Sequence, residues 1–305
     1  MQATITFSKT LNKYTAIVGN KVVAKATDKY YLRNRVAQLG YTLDAAPAPM
    51  AAALPQKADK FTINQRFDFV AQMVTMVSEQ TIASAVITGQ GGLGKTHSVM
   101  KALDRAGLVN VTDLASFEVG ARINASKAFR VIKGFSTAKG LYRTLFEGNG
   151  MTLVFDDCDS VLKDPIALNL LKGALDSYSD RYLSWNADMR DEDLPRSFTF
   201  TGSVIFISNM NLDDINQAVR SRAMCVDLSM TEAQKIERME VMIQDPEFLP
   251  EFTLEAKADA VAFIKSILDQ VSNLSLRSLI ATTKIAAKGG KDWRALAEYV
   301  LTQGA

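Results

Sequence analysis

Residues 89–96 read Gly-Gln-Gly-Gly-Leu-Gly-Lys-Thr, and they restrict the fold more than any other part of the chain. They fit the pattern G-x-x-x-x-G-K-[ST], which requires an apolar strand before it and a helix after it. Both elements are predicted here, a strand over 85–88 and a helix over 95–106. Glycines let backbone N–H groups turn toward phosphate oxygens, and the amino end of the helix adds a favourable partial charge. The segment therefore predicts an α/β domain with a phosphate-binding loop.

Each residue of the loop has an expected role in binding ATP. The Lys95 ammonium is expected to bind the β- and γ-phosphates, and the Thr96 hydroxyl to ligate Mg²⁺. His97 is included as a nucleotide contact, although packing on the helix is the commoner role for such a histidine. The residues expected to hold the nucleotide are Gly89, Gln90, Gly91, Gly92, Leu93, Gly94, Lys95, Thr96 and His97.

The same stretch also fits the dinucleotide pattern G-x-G-x-x-G, through Gly89, Gly91 and Gly94. Asp113 lies about twenty residues further on, as a dinucleotide-binding fold requires. This alternative leaves Lys95 and the threonine after it unexplained, so the phosphate loop is the preferred interpretation.

A second constraint is the acidic end of the apolar segment 152–155, where Asp156, Asp157 and Asp159 follow. Nucleotide hydrolysis needs one carboxylate near Mg²⁺ and another group that orients or activates the attacking water. Consecutive acids at the end of a strand point in different directions and can divide these roles. We therefore expect Asp156 at the metal and Asp157 at the water, with helix capping by the aspartates as the alternative.

The rest of the chain predicts a parallel sheet and a helical end. Further apolar strands are expected over 129–132, 204–207 and 226–228, alternating with helices, which is typical of a parallel sheet covered on both faces. After residue 230 only helical patterns remain. The expected domains are 1–44, a linker over 45–60, an α/β nucleotide-binding subdomain over 61–230 and a helical lid over 231–305.

The first 44 residues predict a small basic ββα module. They carry seven Lys and Arg against two Asp, a net charge of +5, so the rest of the chain carries −3 of the overall +2. Gly19-Asn20 is a hairpin signal, and Leu32, Val36 and Leu39 fall on one face of a following helix. The linker follows with six alanines and three prolines in 45–55. Such a module is expected to bind nucleic acid, with Tyr30 and Tyr31 stacking on bases, or to dock a partner protein.

The loop and the acidic strand end together resemble the AAA+ ATPase family, over roughly 61–305. The resemblance implies an α/β core with a helical lid, and an ATP hydrolase that uses Mg²⁺. In that family the second acid is usually glutamate, whereas Asp157 is one methylene shorter. This departure bears on the rate of turnover more than on nucleotide binding.

The resemblance also implies polar residues elsewhere. Asn209, or alternatively Asn211, would contact the γ-phosphate or the water. Arg222, or alternatively Arg220, would reach the nucleotide of a neighbouring subunit. Arg277 would lie over the nucleotide at the start of a lid helix.

At the level of function, the resemblance implies a homo-oligomeric ring, with a hexamer expected, that remodels or loads nucleic acid or a protein complex. The alternative is an ATP-dependent assembly switch with little hydrolysis. In the loop 133–140, Phe135 would grip a polypeptide or Lys133 and Lys139 would follow phosphates, unless Phe135 packs into the core. The charged insertion 182–201 has no assigned role.

Composition excludes several other classes. Two cysteines and one histidine cannot form a disulfide framework or a zinc site, and favour a reducing, cytoplasmic setting. No apolar run reaches the length needed to cross a bilayer, and the first residues are too polar for a secretory signal. We therefore expect no membrane association.

Overall fold

The computed structural model separates the chain into two compact units, Met1–Lys60 and Phe61–Ala305. The predicted linker residues 45–59 lie outside the described part. The described residues are 2–8, 13–18, 21–26, 32, 35–36, 38–39, 41–43, 60–114, 123–177, 180–186, 194–271 and 273–303.

The first unit contains a four-stranded sheet in the order β3-β2-β1-β4. Strands β1, β2 and β3 pair antiparallel, and β4 pairs parallel to β1. The sequence did not predict β4, because a two-residue strand carries no alternating pattern. The strands are β1 (Gln2–Ser8), β2 (Lys13–Val18), β3 (Lys21–Ala26) and β4 (Thr42–Leu43).

A small core supports this sheet. Ala16, Leu32 and Val36 are fully or almost fully buried, and the latter two belong to the predicted helix. Leu39, expected on the same face, is instead 43% exposed in a turn. The predicted hairpin residues Gly19-Asn20 and the proposed stacking residues Tyr30 and Tyr31 lie outside the described residues.

The second unit is built on a parallel six-stranded sheet in the order β12-β5-β11-β8-β7-β6. This confirms the predicted α/β fold class. The two residues of β6 at the sheet edge are exposed. The strands of the sheet are β5 (Ser84–Thr88), β6 (Val109–Asn110), β7 (Ala128–Lys133), β8 (Thr152–Asp156), β11 (Ser203–Ile207) and β12 (Met224–Asp227).

Helices cover both faces of the sheet, because alternate strand residues point to opposite sides. Val86 and Phe155 face one buried layer, whereas Ile87 and Val154 face the other. Asp164 caps the helix that begins at Pro165, and this helix ends at Ala174. The helices of this part are α1 (Ile63–Ser78), α2 (Lys95–Arg105), α3 (Ala138–Glu147), α4 (Asp159–Lys163), α5 (Pro165–Ala174) and α6 (Gln217–Arg220).

The end of the chain is helical, as the sequence predicted, and has its own core. Met239, Ile264 and Leu279 are fully buried in this core. None of the described helices is both long and apolar enough to cross a bilayer. The helices are α7 (Glu232–Met242), α8 (Leu254–Ser266), α9 (Leu276–Lys288) and α10 (Trp293–Gln303).

The charged insertion begins and ends in a short antiparallel hairpin, which the sequence did not predict. Strand β9 (Tyr182–Ser184) pairs with β10 (Ser197–Thr199), and the Tyr142 ring packs against Trp185 and Phe198 at its base. Residues 187–193, which include most of the insertion's charges, lie outside the described residues.

Candidate functional site

The segment 89–96 forms the turn between β5 and α2. Gly89 has a φ of +135°, and a Cβ there would lie 2.9 Å from the carbonyl carbon of Leu228. Gly94 is left-handed, with a φ of +82°, and is the N-cap of α2. Another residue would be strained at either position and would clash at the first. The two glycines therefore hold the loop in a tight turn at the amino end of a helix, where an anion is favoured.

Lys95 is buried beneath this loop. Its Nζ donates to the carbonyl oxygens of Gly89 at 2.6 Å and Gln90 at 2.8 Å, and to Asn209 Oδ1 at 2.8 Å. Burial lowers the pKa of Lys95, and the nearby aspartates oppose this shift. An anionic ligand would compensate the cost of burying the ammonium.

Thr96 and Asp156 are also brought together. Thr96 Oγ1 donates to Asp156 Oδ1 at 2.9 Å. Asp156 is the last residue of β8 and is buried, yet its other oxygen, Oδ2, lies 3.1 Å from Lys133 Nζ. The register of β7 against β8 places Lys133 directly beside Asp156. The carboxylate thus has one hydroxyl partner and one cationic partner.

Asp157 leaves the strand in a left-handed conformation, with a φ of +56°. Its N–H donates to Ile207 O at 3.0 Å, which fixes this turn against β11. Asn209 Nδ2 donates to Asp157 Oδ1 at 2.8 Å, while Asn209 Oδ1 accepts from Lys95. This orientation of the amide is the one that suits an ammonium donor and a carboxylate acceptor. Asn209 therefore connects the loop lysine to the second acid.

Asp159 does not join this group and has a structural role. It begins α4, where a negative charge suits the helix dipole, and accepts a hydrogen bond from Ser208 Oγ at 2.6 Å. Asp159 therefore lies in the first turn of α4 and does not cap it, because the N-cap position is Cys158.

Lys95, Thr96, Asp157 and Asn209 line a cavity of about 570 Å³ between the loop and the helical end of the chain. Leu276 N–H donates to Gly92 O at 2.9 Å and ties the start of α9 to the loop. Arg277 and His97 are exposed residues of the cavity wall. The lining comprises Gly91, Gly92, Leu93, Gly94, Lys95, Thr96, His97, Asp157, Ile207, Asn209, Met242, Glu247, Phe248, Leu249, Leu276, Arg277 and Ile280.

Sequence analysis missed the apolar wall of this cavity. Met242, Phe248, Leu249 and Ile280 come from three different segments of the helical end, and no local motif marks them. Leu249 has a φ of +49°, which is rare for a bulky side chain and marks a constrained turn.

An ionic contact lies beside the cavity and includes the lining residue Glu247. Lys101 on α2 donates to Asp245 Oδ2 at 2.8 Å and also pairs with Glu247. The hydrogen bonds to these acids raise the pKa of Lys101, and the bond from Lys101 lowers the pKa of Asp245. This contact holds the α7–α8 turn of the helical end against the sheet domain.

Arg222 does not reach the cavity of its own chain. Its Nη1 donates to Ala218 O at 3.1 Å, and its carbonyl accepts from Ser84 Oγ at 3.1 Å, at the edge where the strands begin. The alternative Arg220 is paired with Asp213 at 2.9 Å.

Two further alternatives lie away from the cavity. Asn211 donates to Asp214 at 3.0 Å and is exposed. Asp113, the ribose ligand in the dinucleotide alternative, is exposed in the turn after β6 and does not line the cavity.

Phe135 is 81% exposed, so the alternative that packed it into the core is wrong. Gly134 before it has a φ of +84° and lets the chain turn out of β7.

Both cysteines are free, and neither favours a reactive thiolate. Burial raises the pKa of Cys158 to about 11, and also raises the pKa of Cys225. Since the thiolate is the reactive form, thiol chemistry at this strand end is disfavoured.

Comparison with known proteins gives one curated relative. No protein-family model matches the chain. An uncharacterized 36.7 kDa protein from the nrdC-mobD intergenic region of Enterobacteria phage T4 is 27% identical over 256 residues, which cover 78% of this chain and 74% of that protein.

Solved structures show similarity at low scores. A RuvB point mutant from Thermotoga maritima has a TM-score of 0.46 and 15% identity, over 78% of this chain and 69% of that one. The FIGL-1 AAA domain in complex with ADP has a TM-score of 0.33 and 12% identity, over 81% and 72%. NtrX from Brucella abortus in complex with ATP has a TM-score of 0.36 and 14% identity, over 92% and 58%. These similarities do not assign a function to the site, which depends on the chemistry of its own residues.

Proposed function

We propose that this chain is an AAA+-type ATP hydrolase that uses Mg²⁺ and acts as a homo-oligomer on a macromolecule. One observation carries the proposal. Lys95, Thr96, Asp157 and Asn209 come from three separate chain segments and line one cavity, with the phosphate-loop sequence at its base and the buried Asp156 bonded to Thr96 beside it.

The donors present fit Mg²⁺. Among the described residues no three His, Cys, Asp or Glu side chains form a metal cage. Mg²⁺ is commonly held by one or two carboxylates together with substrate phosphates and water, so a full protein cage is not required. The Thr96 hydroxyl and the Asp156 carboxylate, 2.9 Å apart, supply hard oxygen ligands. When bound, the ion would neutralise charge on the phosphates.

The remaining residues divide the work of hydrolysis. Lys95 binds phosphate oxygens and exchanges its present carbonyl partners for them. Asp157 accepts a proton from the water that attacks the γ-phosphate, and Asn209 holds this carboxylate in place through its 2.8 Å bond. Arg277, near the start of α9, contacts the phosphates, so that their loss changes the position of this helix.

Catalysis is completed by a second copy of the chain. Arg222 faces away from its own cavity, so it can stabilise the transition state only at the nucleotide of a neighbour. Closure of the helical end and movement of the exposed Phe135 loop would then transmit hydrolysis to the substrate. The basic N-terminal module recruits that substrate, either nucleic acid or a partner protein.

Steady-state ATP hydrolysis across protein concentration, with and without single- and double-stranded DNA, tests the proposal. Turnover per chain should rise with concentration, and Lys95→Ala should abolish both ATP binding and turnover. Stimulation by DNA would favour a nucleic-acid substrate, and indifference to DNA a protein substrate. Failure of the chain to bind ATP would refute the proposal.

The second candidate is an ATP-dependent assembly switch with little hydrolysis. Two observations favour it, namely the short Asp157 side chain and the Lys133 ammonium that already contacts Asp156. ATP-dependent assembly with negligible turnover at every concentration would support the switch over the hydrolase.

A further inference from the structure

A second cavity, of about 470 Å³, opens at the edge of the sheet opposite the nucleotide cavity. It lies where β5, β11 and β12 begin, whereas the phosphate loop lies where β5 ends. Two arginines, Arg181 and Arg222, line it together with hydroxyl side chains. The hydroxyl residues are Thr81, Ser84, Ser177, Ser203 and Ser221.

Both arginines lack an acidic partner in the described part of the chain. No ion pair between described residues includes either guanidinium. Arg222 Nε is buried and has no hydrogen-bond partner among those residues. Asp176 is the one carboxylate that lines the cavity, and it accepts from the Ser177 N–H at 2.8 Å instead. Two guanidinium groups and one carboxylate therefore leave the cavity lining with a net positive charge, and neither arginine is paired with that carboxylate.

Arg181 is held in place and does not simply extend into solvent. Its Nη1 donates to Ala174 O at 3.0 Å, and its guanidinium lies over the Phe200 ring at 5.1 Å. Burial lowers the pKa of Arg181, in keeping with a partly desolvated cation. An oxyanion in this cavity would give the two guanidinium groups a counter-charge and further hydrogen-bond acceptors.

We propose that this cavity binds a phosphate-type oxyanion through Arg181 and Arg222. Arginine suits this ligand because its planar fork can donate two parallel hydrogen bonds to phosphate oxygens. The oxyanion has two possible sources, the nucleotide held by a second copy of the chain or free inorganic phosphate. The first source rests on the proposed function, whereas the second does not. In either case Arg181 acts together with Arg222, and no sequence motif marked it.

Binding of inorganic pyrophosphate, measured by calorimetry on full-length Lys95→Ala chains, is the first test. The Lys95→Ala background removes the phosphate loop as a competing site. Adding Arg181→Ala or Arg222→Ala should weaken binding about tenfold or more, as expected for a charged hydrogen bond. Arg196→Ala removes an exposed arginine of the same hairpin region that does not line the cavity, and should leave binding unchanged.

Arg181→Met guards against a folding artefact, because it keeps an apolar stem against Phe200 and removes only the charge. It should weaken pyrophosphate binding as Arg181→Ala does, with a melting temperature close to that of Arg196→Ala.

Mixing of two variant chains, each defective in a different site, identifies the source of the oxyanion. Arg181→Met chains keep the phosphate loop, and Lys95→Ala chains keep both arginines. If the cavity serves a neighbour's nucleotide, Arg181→Met alone hydrolyses ATP slowly and the mixture regains activity. Pyrophosphate binding that depends on both arginines, without any regain on mixing, assigns the cavity to free phosphate.

The proposal is overturned if pyrophosphate binding is absent or indifferent to Arg181, and Arg181→Met hydrolyses ATP as Arg196→Ala does. If no chain hydrolyses ATP, the pyrophosphate titration still tests the cavity, so failure of the proposed function and failure of this proposal are distinguishable.

Discussion

Lys133 Nζ lies 3.1 Å from Asp156 Oδ2, across the paired ends of β7 and β8. The Asp156 side chain is 5% exposed and that of Lys133 is 66% exposed, so an exposed lysine pairs with a buried carboxylate. Asp156 is also the residue that we place beside Mg²⁺. A divalent cation that approaches this oxygen must therefore compete with the lysine.

Lys133→Met should lower the Mg²⁺ concentration that gives half-maximal ATP hydrolysis. The expected change is about two- to fivefold, because an ion pair with one exposed partner contributes about 1 kcal/mol or less. A Mg²⁺ titration of turnover, with Mn²⁺ binding to the ATP-bound chain as a second readout, measures it. Lys127→Met is the matched control, since Lys127 is exposed and lies at the other end of β7. Identical Mg²⁺ midpoints for the two variants would contradict the competition.

Asn209 joins Lys95 to Asp157, and its loss should slow the chemical step more than it weakens ATP binding. Asn209→Ala should reduce kcat about 100-fold, as the loss of one positioned polar group often does, and leave the ATP Kd within about threefold. Asn211→Ala is the control, because that exposed asparagine bonds to Asp214 and does not line the cavity. Equal kcat values for the two variants would remove Asn209 from the catalytic group.

The sequence predicted the parts of this site that depend on local patterns. The loop 89–96 and the acids after 155 each have a signature within a few residues, and both lie where the expected strands end. The pair formed by Lys133 and Asp156 depends on the register of two strands, which no local pattern specifies. The same limit applies to the second cavity, because Arg181 and Arg222 lie far apart in the chain and meet only in the folded sheet.

The secondary structure likewise divides into elements that have a clear local sequence pattern and elements that do not. Long apolar strands such as 203–207 were predicted within a residue of their bounds, because five consecutive buried residues are an unambiguous pattern. The strand Val109–Asn110 is short and exposed, so a local pattern gives it little support. The hairpin around the insertion was missed because its three-residue strands offer too little alternation.

The contact of Lys101 with Asp245 should make closure of the helical end depend on pH. The pKa of Asp245 is lowered in the fold. The stability that its carboxylate adds to the contact is therefore present above the ordinary carboxyl pKa and is lost as pH falls through the lowered value. The pKa of Lys101 is raised in the fold. The stability that its ammonium adds to the contact is therefore present below pH 10.5 and is lost as pH rises through the raised value. The contact should therefore hold throughout the neutral range.

Lys101→Met tests this contact at neutral pH. ATP binding should weaken about two- to fivefold, the range of a largely exposed ion pair, and the effect should shrink in high salt. Lys284→Met is the control, since it removes an exposed lysine of α9 that does not line the nucleotide cavity. A loss of affinity that is independent of salt would show that Lys101 acts by packing and not by charge.

Lys95 should make the free energy of unfolding of the nucleotide-free chain depend on pH in the alkaline range. Its pKa is lowered in the fold, chiefly by burial, so the unfolded chain binds the proton more tightly than the folded chain does. The free energy of unfolding should therefore rise as pH increases from the lowered pKa toward 10.5. Since the raised pKa of Lys101 has the opposite effect, the informative quantity is the difference between the natural chain and Lys95→Met. Denaturant unfolding of both chains at several alkaline pH values should show this difference increasing with pH. Saturating ATP should abolish the increase in the natural chain, because bound phosphates stabilise the ammonium. A difference that stays constant with pH would mean that Lys95 is not desolvated before the nucleotide binds.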